Sequence, residues 1–173
     1  DDETGWYCME GEQNNDVAPI PPNDGAEPPP AAQEPAPDEP LMGEAPPDPG
    51  APAADPCGGD LEQQVVQFAN ETRAERGLGQ LQCDALMTLT ARLHSQDMCD
   101  NNYFEHTGLD GSQPWDRMTR QGVQFGFAAE NIAYGYIDAQ GVHTGWMNSE
   151  GHRENLLRAN VGRIGVGYVL CNG

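Results

Sequence analysis

Apolar residues recur with a helical period from residue 61 onward, after a long stretch that contains few large apolar side chains. The first set is spaced as i, i+4, i+7 and i+11 and consists of Leu61, Val65, Phe68 and Thr72. This spacing predicts a helix, which Gly77 and Gly79 end. A second helix is predicted to begin at Asp84, a residue type that caps helix N-termini. Its expected apolar face consists of Leu86, Leu89, Thr90, Leu93 and Asp97 or Met98.

Shorter elements are predicted in the C-terminal half. Ser112 is predicted to cap a short helix that ends at Gly122, and residues 129–134 are predicted to be extended or irregular. Asp138 is predicted to cap a helix that reaches Ser149, which in turn caps residues 152–158. Large and small residues alternate over 164–170, which predicts a strand whose glycines allow close backbone packing. The sequence therefore predicts one mixed α/β domain over residues 61–173.

The first 60 residues have a different composition. They hold 15 of the 28 acidic residues, 14 of the 15 prolines and none of the eight basic residues. Such a segment cannot bury a core, so residues 1–60 are predicted to be a disordered acidic Pro-rich arm that acts as a spacer. Within it, Trp6, Tyr7 and Cys8 are interpreted as a frayed end.

Charge and hydropathy exclude several kinds of partner. The formal net charge is −20 and lysine is absent, so no basic patch is expected for nucleic acid or for anionic lipid. No apolar run approaches the roughly 18 residues that span a bilayer. The chain opens with Asp1 rather than Met, which is consistent with a removed leader. We expect a secreted or surface-displayed monomer with no transmembrane segment.

Five cysteines leave one without a partner if the others form disulfides. Cys83 and Cys99 are predicted near opposite ends of one helix, about 24 Å apart, so they cannot bond each other. Cys171 is a natural partner for one of the two, and the sequence does not decide which. The alternative is free thiols in the cytosol.

The four histidines form no local metal motif. His94 follows the apolar face of the second helix and is interpreted as a packed structural residue, whereas His143 is predicted to be solvated on a helix surface. No GxSxG nucleophile motif is present, and Ser149 is explained as a helix cap. The residues alone therefore assign no catalytic side chain.

Four ordered blocks resemble the CAP superfamily (SCP-like, pathogenesis-related-1-like), specifically its bacterial secreted members. YFEH at 103–106, with DG at 110–111 and PWDR at 114–117, is similar to the family's FSH, DG and PFDR. AENIA at 129–133 is similar to GENIA, and WMNSEGHRENLL at 146–157 to WMNSPGHRxNIL. The strand at 164–167 also matches. The resemblance covers about residues 62–170 and implies a three-layer α-β-α sandwich with a small antiparallel sheet.

The resemblance also implies a cleft with two histidines and two glutamates. By motif, His106, His152 and Glu130 match three of the four. The second glutamate falls at Ser149, and Glu150 lies one position later, turned by about 100° on a helix. We therefore take His106, Glu130 and His152 as the cleft residues, with Glu150 as a fourth candidate.

Two imidazoles and a carboxylate suit a divalent metal ion such as zinc, with an open position for water. His106, His152 and Glu130 are accordingly the candidate metal ligands, and no other cofactor is expected. The alternative is that the three side chains hydrogen-bond one another and tie their segments together. Asn131 is a candidate for fixing a loop backbone in the same way.

Three functions are consistent with these residues. We expect an extracellular binding module, rather than an enzyme, whose cleft takes an unidentified small molecule, lipid, peptide or glycan. The first alternative is a metal-dependent hydrolase, a peptidase or esterase, with Glu150 as general base. The second is a purely structural or adhesive surface domain. Because family members continue with a further strand, this domain is also expected to lack its final strand and to leave an unpaired edge.

Overall fold

The computed structural model describes the backbone of residues 4–13 and all of residues 55–171. Over these residues the chain forms five helices and four strands. The helices are α1 (Asp60–Ala74), α2 (Ala85–Asn101), α3 (Pro114–Arg120), α4 (Ala139–Asn148) and α5 (Glu150–Leu156). The strands are β1 (Thr4–Gln13), β2 (Gln82–Cys83), β3 (Ala128–Tyr134) and β4 (Val161–Cys171).

The strands form one sheet in the order β2-β4-β1-β3. It is antiparallel except for the short parallel pair of β2 and β4. Helices α2 and α3 pack on one face, and α1, α4 and α5 pack on the other. The predicted three-layer α-β-α sandwich with a small sheet is therefore confirmed.

Strand β1 corrects the prediction of a frayed N-terminal end. Thr4–Gln13 lies between β3 and β4, with Glu10 opposite both Glu130 and Gly165. Strand β4 pairs with β1 along its length, whereas on its other side β2 pairs only with Arg163 and Ile164, so no described strand pairs with residues 165–171 on that side. A strand is stabilised by neighbouring strands that are distant in the sequence, so the composition of residues 4–13 alone does not predict it. Residues 14–54, most of the predicted arm, lie outside the described residues.

The alternation of large and small residues in β4 separates the two faces of the sheet. Ile164 and Val166 are fully buried in the core that α1, α4 and α5 share. A Cβ added to Gly165 would lie 2.2 Å from the Met87 carbonyl carbon, and one on Gly167 would lie 2.1 Å from a backbone nitrogen of α2. The glycines therefore allow α2 to pack directly against the backbone of β4.

This close approach explains why the predicted apolar face of α2 is partly wrong. Leu86, Leu89 and Leu93 are 42%, 42% and 49% exposed. The buried residues of α2 are instead mostly small or polar: Met87, Thr88, Thr90, Ala91, His94, Ser95 and Met98. Because the helix backbone lies against glycines, its inner face has no room for a row of leucines.

The helix starts are set by local chemistry. As predicted, Asp84 accepts hydrogen bonds from the backbone nitrogens of Leu86 and Met87, and Asp138 accepts one from Gly141. The N-cap of α3 is Gln113 rather than the predicted Ser112. Helix α4 begins after its predicted cap, whereas α5 begins at Glu150, directly after Ser149, rather than at His152, and the Ser149 side chain makes no capping hydrogen bond. Residues 129–134 lie within a regular strand.

Two disulfides join the described cysteines. Cys57 is bonded to Cys83, and Cys99 is bonded to Cys171. The predicted exclusion of a Cys83–Cys99 bond is confirmed, Cys171 pairs with Cys99, and the free-thiol alternative is wrong for these four residues. Over the same parts of the chain, no helix is both long enough and apolar enough to cross a membrane.

Candidate functional site

Strand β3 places its residues alternately on the two faces of the sheet. Glu130 contacts α3 and Ile132 packs with α2, whereas Asn131 and Ala133 face α4 and α5. The AENIA block therefore supplies polar side chains to both sides of one strand. Glu130 and Asn131 are 7% and 0% exposed, so their polar atoms require partners.

Glu130 is the centre of a hydrogen-bond network with His106 and Arg117, which we call the Glu130 network. His106 Nδ1 lies 2.7 Å from Glu130 Oε1, and the Arg117 guanidinium donates to Glu130 Oε2 at 2.6 Å. The Glu130 side chain is 1% exposed and that of Arg117 is 10% exposed, whereas that of His106 is 50% exposed. The buried Glu130 carboxylate thus holds the His106 imidazole in a half-exposed position at the surface.

Arg117 also fixes the loop that carries His106. One of its nitrogens donates to the carbonyl oxygens of His106 and Ser112, each at 3.0 Å. Arg117 belongs to the PWDR block, but the sequence reading assigned it no role. No local signal identifies it, because its partners lie in a loop and a strand that only the fold brings together.

The second histidine is positioned through its backbone. Asn131 donates to the His152 carbonyl oxygen at 3.0 Å, and Asn155 donates to the Asn131 side-chain oxygen at 3.0 Å. This confirms that Asn131 fixes a neighbouring backbone segment, here the start of α5. Burial lowers the pKa of His152, and positive charge on His106 lowers it further.

A cavity of about 350 Å³ lies beside His152, and we call it the cleft. Its lining is mostly aromatic or apolar and consists of Phe104, Ile132, Ala133, Tyr134, Tyr136, Gly145, Trp146, Ser149 and His152. The rings of Phe104 and Tyr134 are 6.3 Å apart, and both side chains are about half exposed. Trp146 is buried and donates from Nε1 to the Ile132 carbonyl oxygen. Of these lining residues, only His152 was a predicted cleft residue, and Ser149 stands where the resemblance places the second glutamate of the family.

Glu150 is not brought to this network. It is the first residue of α5, and it is exposed. Within residues 55–171, it is absent from the cleft lining and makes no hydrogen bond to His106, Glu130 or His152. The one-residue shift from Ser149 therefore has the effect that helical geometry predicts.

The three candidate metal ligands do not fit a resident divalent ion. Both carboxylate oxygens of Glu130 are engaged, one by His106 and the other by the cationic guanidinium of Arg117. An ion at that carboxylate would lie against this positive charge, and two imidazoles alone are fewer protein ligands than a zinc site uses. In the described part of the chain, no group of three or more His, Cys, Asp and Glu side chains is arranged to hold a metal.

The other histidines lie away from this site. His94 is buried, as predicted, with Nε2 3.0 Å from the Glu105 carbonyl oxygen. His143 is not solvated on a helix surface as predicted. It is half-buried between α1 and α4, where Nε2 lies 3.1 Å from the Thr72 hydroxyl and the ring packs against Phe68.

These environments predict acid sensitivity. The pKa values of His94, His143 and His152 are all lowered, in each case chiefly by burial. The unfolded chain therefore takes up protons from about pH 6.5 downward, before the folded chain does, and stability falls. Urea unfolding at pH 7.5, 6.5 and 5.5 should show a declining free energy of unfolding, with a smaller decline in His94→Gln. A constant or rising value would contradict these assignments.

Comparison with known proteins identifies the family. Residues 66–173 match the family model CAP, described as the cysteine-rich secretory protein family. The chain therefore belongs to the CAP family, as its sequence blocks indicated.

Its relatives are bacterial. The chain is 45% identical over 108 residues to the protein YkwD of Bacillus subtilis (strain 168), and 41% identical over 106 residues to the membrane protein YlbC of the same organism. These alignments cover 62% and 61% of this chain, but only 42% and 31% of the two relatives. The similarity thus concerns one domain of longer proteins.

Two solved structures share the fold. One is an extracellular protein containing a SCP domain from Bacillus anthracis str. Ames, with 36% identity, a TM-score of 0.60, and 64% of this chain and 40% of that chain covered. The other is an outer surface protein from Borrelia burgdorferi, with 22% identity, a TM-score of 0.54, and 66% of this chain and 96% of that chain covered. At that identity, the second comparison supports the fold alone.

Proposed function

We propose that this domain is an extracellular ligand-binding module, and that its cleft takes a small amphipathic molecule without a metal ion. The observation that carries the proposal is the cleft itself, a half-exposed pair of aromatic rings beside a positioned imidazole. Open apolar surface of this kind is typical of binding sites.

An extracellular location is supported by two observations. Both described disulfides require an oxidising environment to persist. The Bacillus anthracis protein that shares 36% identity is described as extracellular. A small module stabilised by disulfides is suited to that environment.

The lining defines the chemistry of the ligand. Phe104, Tyr134 and Tyr136 offer ring faces and edges for a flat apolar group. His152, with its pKa lowered, is a neutral imidazole near pH 7 and can both donate and accept a hydrogen bond. The ligand is therefore a molecule that combines an apolar ring or chain with one neutral polar group.

The metal-dependent hydrolase lacks support from this geometry. That mechanism needs Glu130 as a ligand and Glu150 as a nearby base, but Glu130 is engaged by Arg117 and Glu150 is exposed on α5.

The structural alternative is favoured by one observation, namely that the Glu130 network joins a loop, a helix and a strand. It predicts that His106→Ala lowers the melting temperature and leaves ligand binding unchanged.

A probe titration tests the binding proposal. The 15N-labelled full chain is titrated with N-acetyltryptophanamide and with 1-octanol, which each combine an apolar group with neutral polar groups, and amide shifts are followed by NMR. We expect at least one probe to give saturable shifts around the cleft. We expect Tyr134→Ala to weaken that binding about fivefold, the equivalent of about 1 kcal/mol of aromatic contact.

The control is Leu109→Ala. Leu109 is 66% exposed and does not line the cleft, so its loss should leave probe binding unchanged. The absence of saturable shifts with both probes, or equal weakening in the two variants, would refute the assignment of the cleft.

A further inference from the structure

The chain next to the cleft carries several exposed carboxylates. Four of them lie one or two residues along the chain from a residue that lines the cleft: Glu105, Asp138, Glu150 and Glu154. We call these four the rim carboxylates. None of them lines the cleft, and none makes an ion pair among residues 55–171. The apolar cleft is therefore bordered by negative charge that no neighbouring cation neutralises.

The basic residues closest in the chain do not cancel this charge. Arg153 follows His152 directly, but it is half-buried and donates to the Met147 carbonyl oxygen at 2.9 Å. Arg117 is held by the buried Glu130 carboxylate. With histidines counted as neutral, four rim carboxylates against the one guanidinium of Arg153 leave a net charge of −3 beside the cleft.

This charge lies close enough to act on a ligand in the cleft. Consecutive Cα atoms are about 3.8 Å apart, so the backbone of each rim carboxylate lies within about 8 Å of a lining residue. The Debye length is about 8 Å at physiological ionic strength, so salt screens the interaction only in part. A cationic ligand is therefore attracted to the cleft, and an anionic ligand is repelled.

The positions of the carboxylates indicate a ligand that extends beyond the cleft. The cleft volume of about 350 Å³ is at the small end of the roughly 300–1,000 Å³ of ligand sites, so it takes one ring-sized group. The rim carboxylates lie outside it on three segments: the loop before α3, the N-cap of α4, and α5. A ligand that uses both features places an apolar group inside and cations on more than one side.

A short stretch of polypeptide has this form. One aromatic side chain can fill the cleft as an anchor, and the peptide amide beside it supplies the neutral polar group that His152 can bond. Basic residues on either side follow at about 3.3 Å per residue along an extended chain, which brings their long side chains to the rim.

We propose that the cleft recognises a cationic segment of an extracellular polypeptide, in which one aromatic anchor lies between basic residues. This inference rests on the binding function proposed above and names the class of its ligand.

Three probes with the same anchor test the inference: N-acetyltryptophanamide and the capped pentapeptides Lys-Lys-Trp-Lys-Lys and Glu-Glu-Trp-Glu-Glu. Amide shifts of the 15N-labelled full chain are followed at pH 7.5. We expect the lysine peptide to bind at the cleft at least tenfold more tightly than N-acetyltryptophanamide, and the glutamate peptide to bind more weakly. The advantage of the lysine peptide should shrink when NaCl is raised from about 50 to about 500 mM.

A fourth peptide, Lys-Lys-Ala-Lys-Lys, controls for attraction to the acidic chain as a whole, whose formal net charge is −20. It lacks the anchor, so it should give no saturable shifts around the cleft.

Two double variants, each with two carboxylates neutralised, locate the attraction. Glu105→Gln with Glu150→Gln should weaken the lysine peptide about fivefold and leave N-acetyltryptophanamide unchanged. Asp60→Asn with Glu75→Gln removes the same charge from exposed residues of α1 and its C-cap that do not border the cleft, so affinity should be retained.

The outcomes separate this inference from the function on which it rests. If N-acetyltryptophanamide binds at the cleft and the lysine peptide binds there no more tightly, the cationic class is wrong and the cleft remains a binding site. Equal weakening in the two double variants would also overturn the inference. If no probe gives saturable shifts around the cleft, the proposed binding function fails as well.

Discussion

Replacement of Arg73 by methionine is expected to lower the free energy of unfolding by about 4 kcal/mol or more, a large share of the roughly 5–15 kcal/mol that stabilises a folded domain. Arg73 is fully buried in α1. Its guanidinium donates to the carbonyl oxygens of Gly79, Leu156, Arg158 and Val161 at 2.7, 2.8, 2.9 and 3.1 Å. These bonds hold the segment between α5 and β4 against α1, and methionine can replace none of them.

Urea unfolding of Arg73→Met measures this effect, with Arg76→Met as the control. Arg76 lies one turn further along, and its side chain is 43% exposed, so the control should change stability by less than about 1 kcal/mol. Arg73→Lys should recover only part of the loss, because an ammonium group cannot span four carbonyls. Equal stability of Arg73→Met and Arg76→Met would show that the buried guanidinium is not the link described here.

Replacement of Glu130 by leucine is expected to be the second-largest loss, about 3–5 kcal/mol. The Arg117 side chain is 10% exposed and would keep only carbonyl oxygens as partners in the described network. A buried cation without its carboxylate is strongly destabilising. His106→Ala should cost under about 1 kcal/mol, since that side chain is half exposed.

A variant with both Glu130 and Arg117 replaced distinguishes two causes of this loss of stability, namely an unpaired buried charge and the loss of packing contacts. If an uncompensated Arg117 charge is the cause, Glu130→Leu combined with Arg117→Met should be more stable than Glu130→Leu alone. If the losses instead add, the charge pair would not be the source of the effect, and the network would be explained by packing.

Features governed by local chemistry could be predicted from the sequence. Asp84 and Asp138 cap helices because a carboxylate beside free backbone N–H groups needs no tertiary context. The alternation of large residues with glycines over 164–170 likewise predicted strand β4 without knowledge of its partners. The resemblance to CAP proteins, rather than local chemistry, implied that His106 and Glu130 share one site, and the structure joins them by a hydrogen bond.

Features that depend on distant partners could not be predicted. Leu93 was predicted to lie on the buried face of α2, but β4 packs against the backbone at Met87 and Ala91, and Leu93 is 49% exposed. Residues 4–13 form a strand only because β3 and β4 lie on either side. Arg117 is one of eight arginines, and only the fold shows that it engages Glu130. That contact changes the interpretation of the site from a set of metal ligands to a hydrogen-bond network.

Calorimetric titration of the chelator-treated full chain with zinc at pH 7.5 tests this central claim most directly. A built zinc site contributes on the order of 10 kcal/mol and would bind far more tightly than about 1 µM. We predict no one-to-one binding with Kd below about 1 µM, because Arg117 engages the only buried carboxylate that the network contains. Stoichiometric binding tighter than this, abolished in both His106→Ala and Glu130→Gln, would contradict the account.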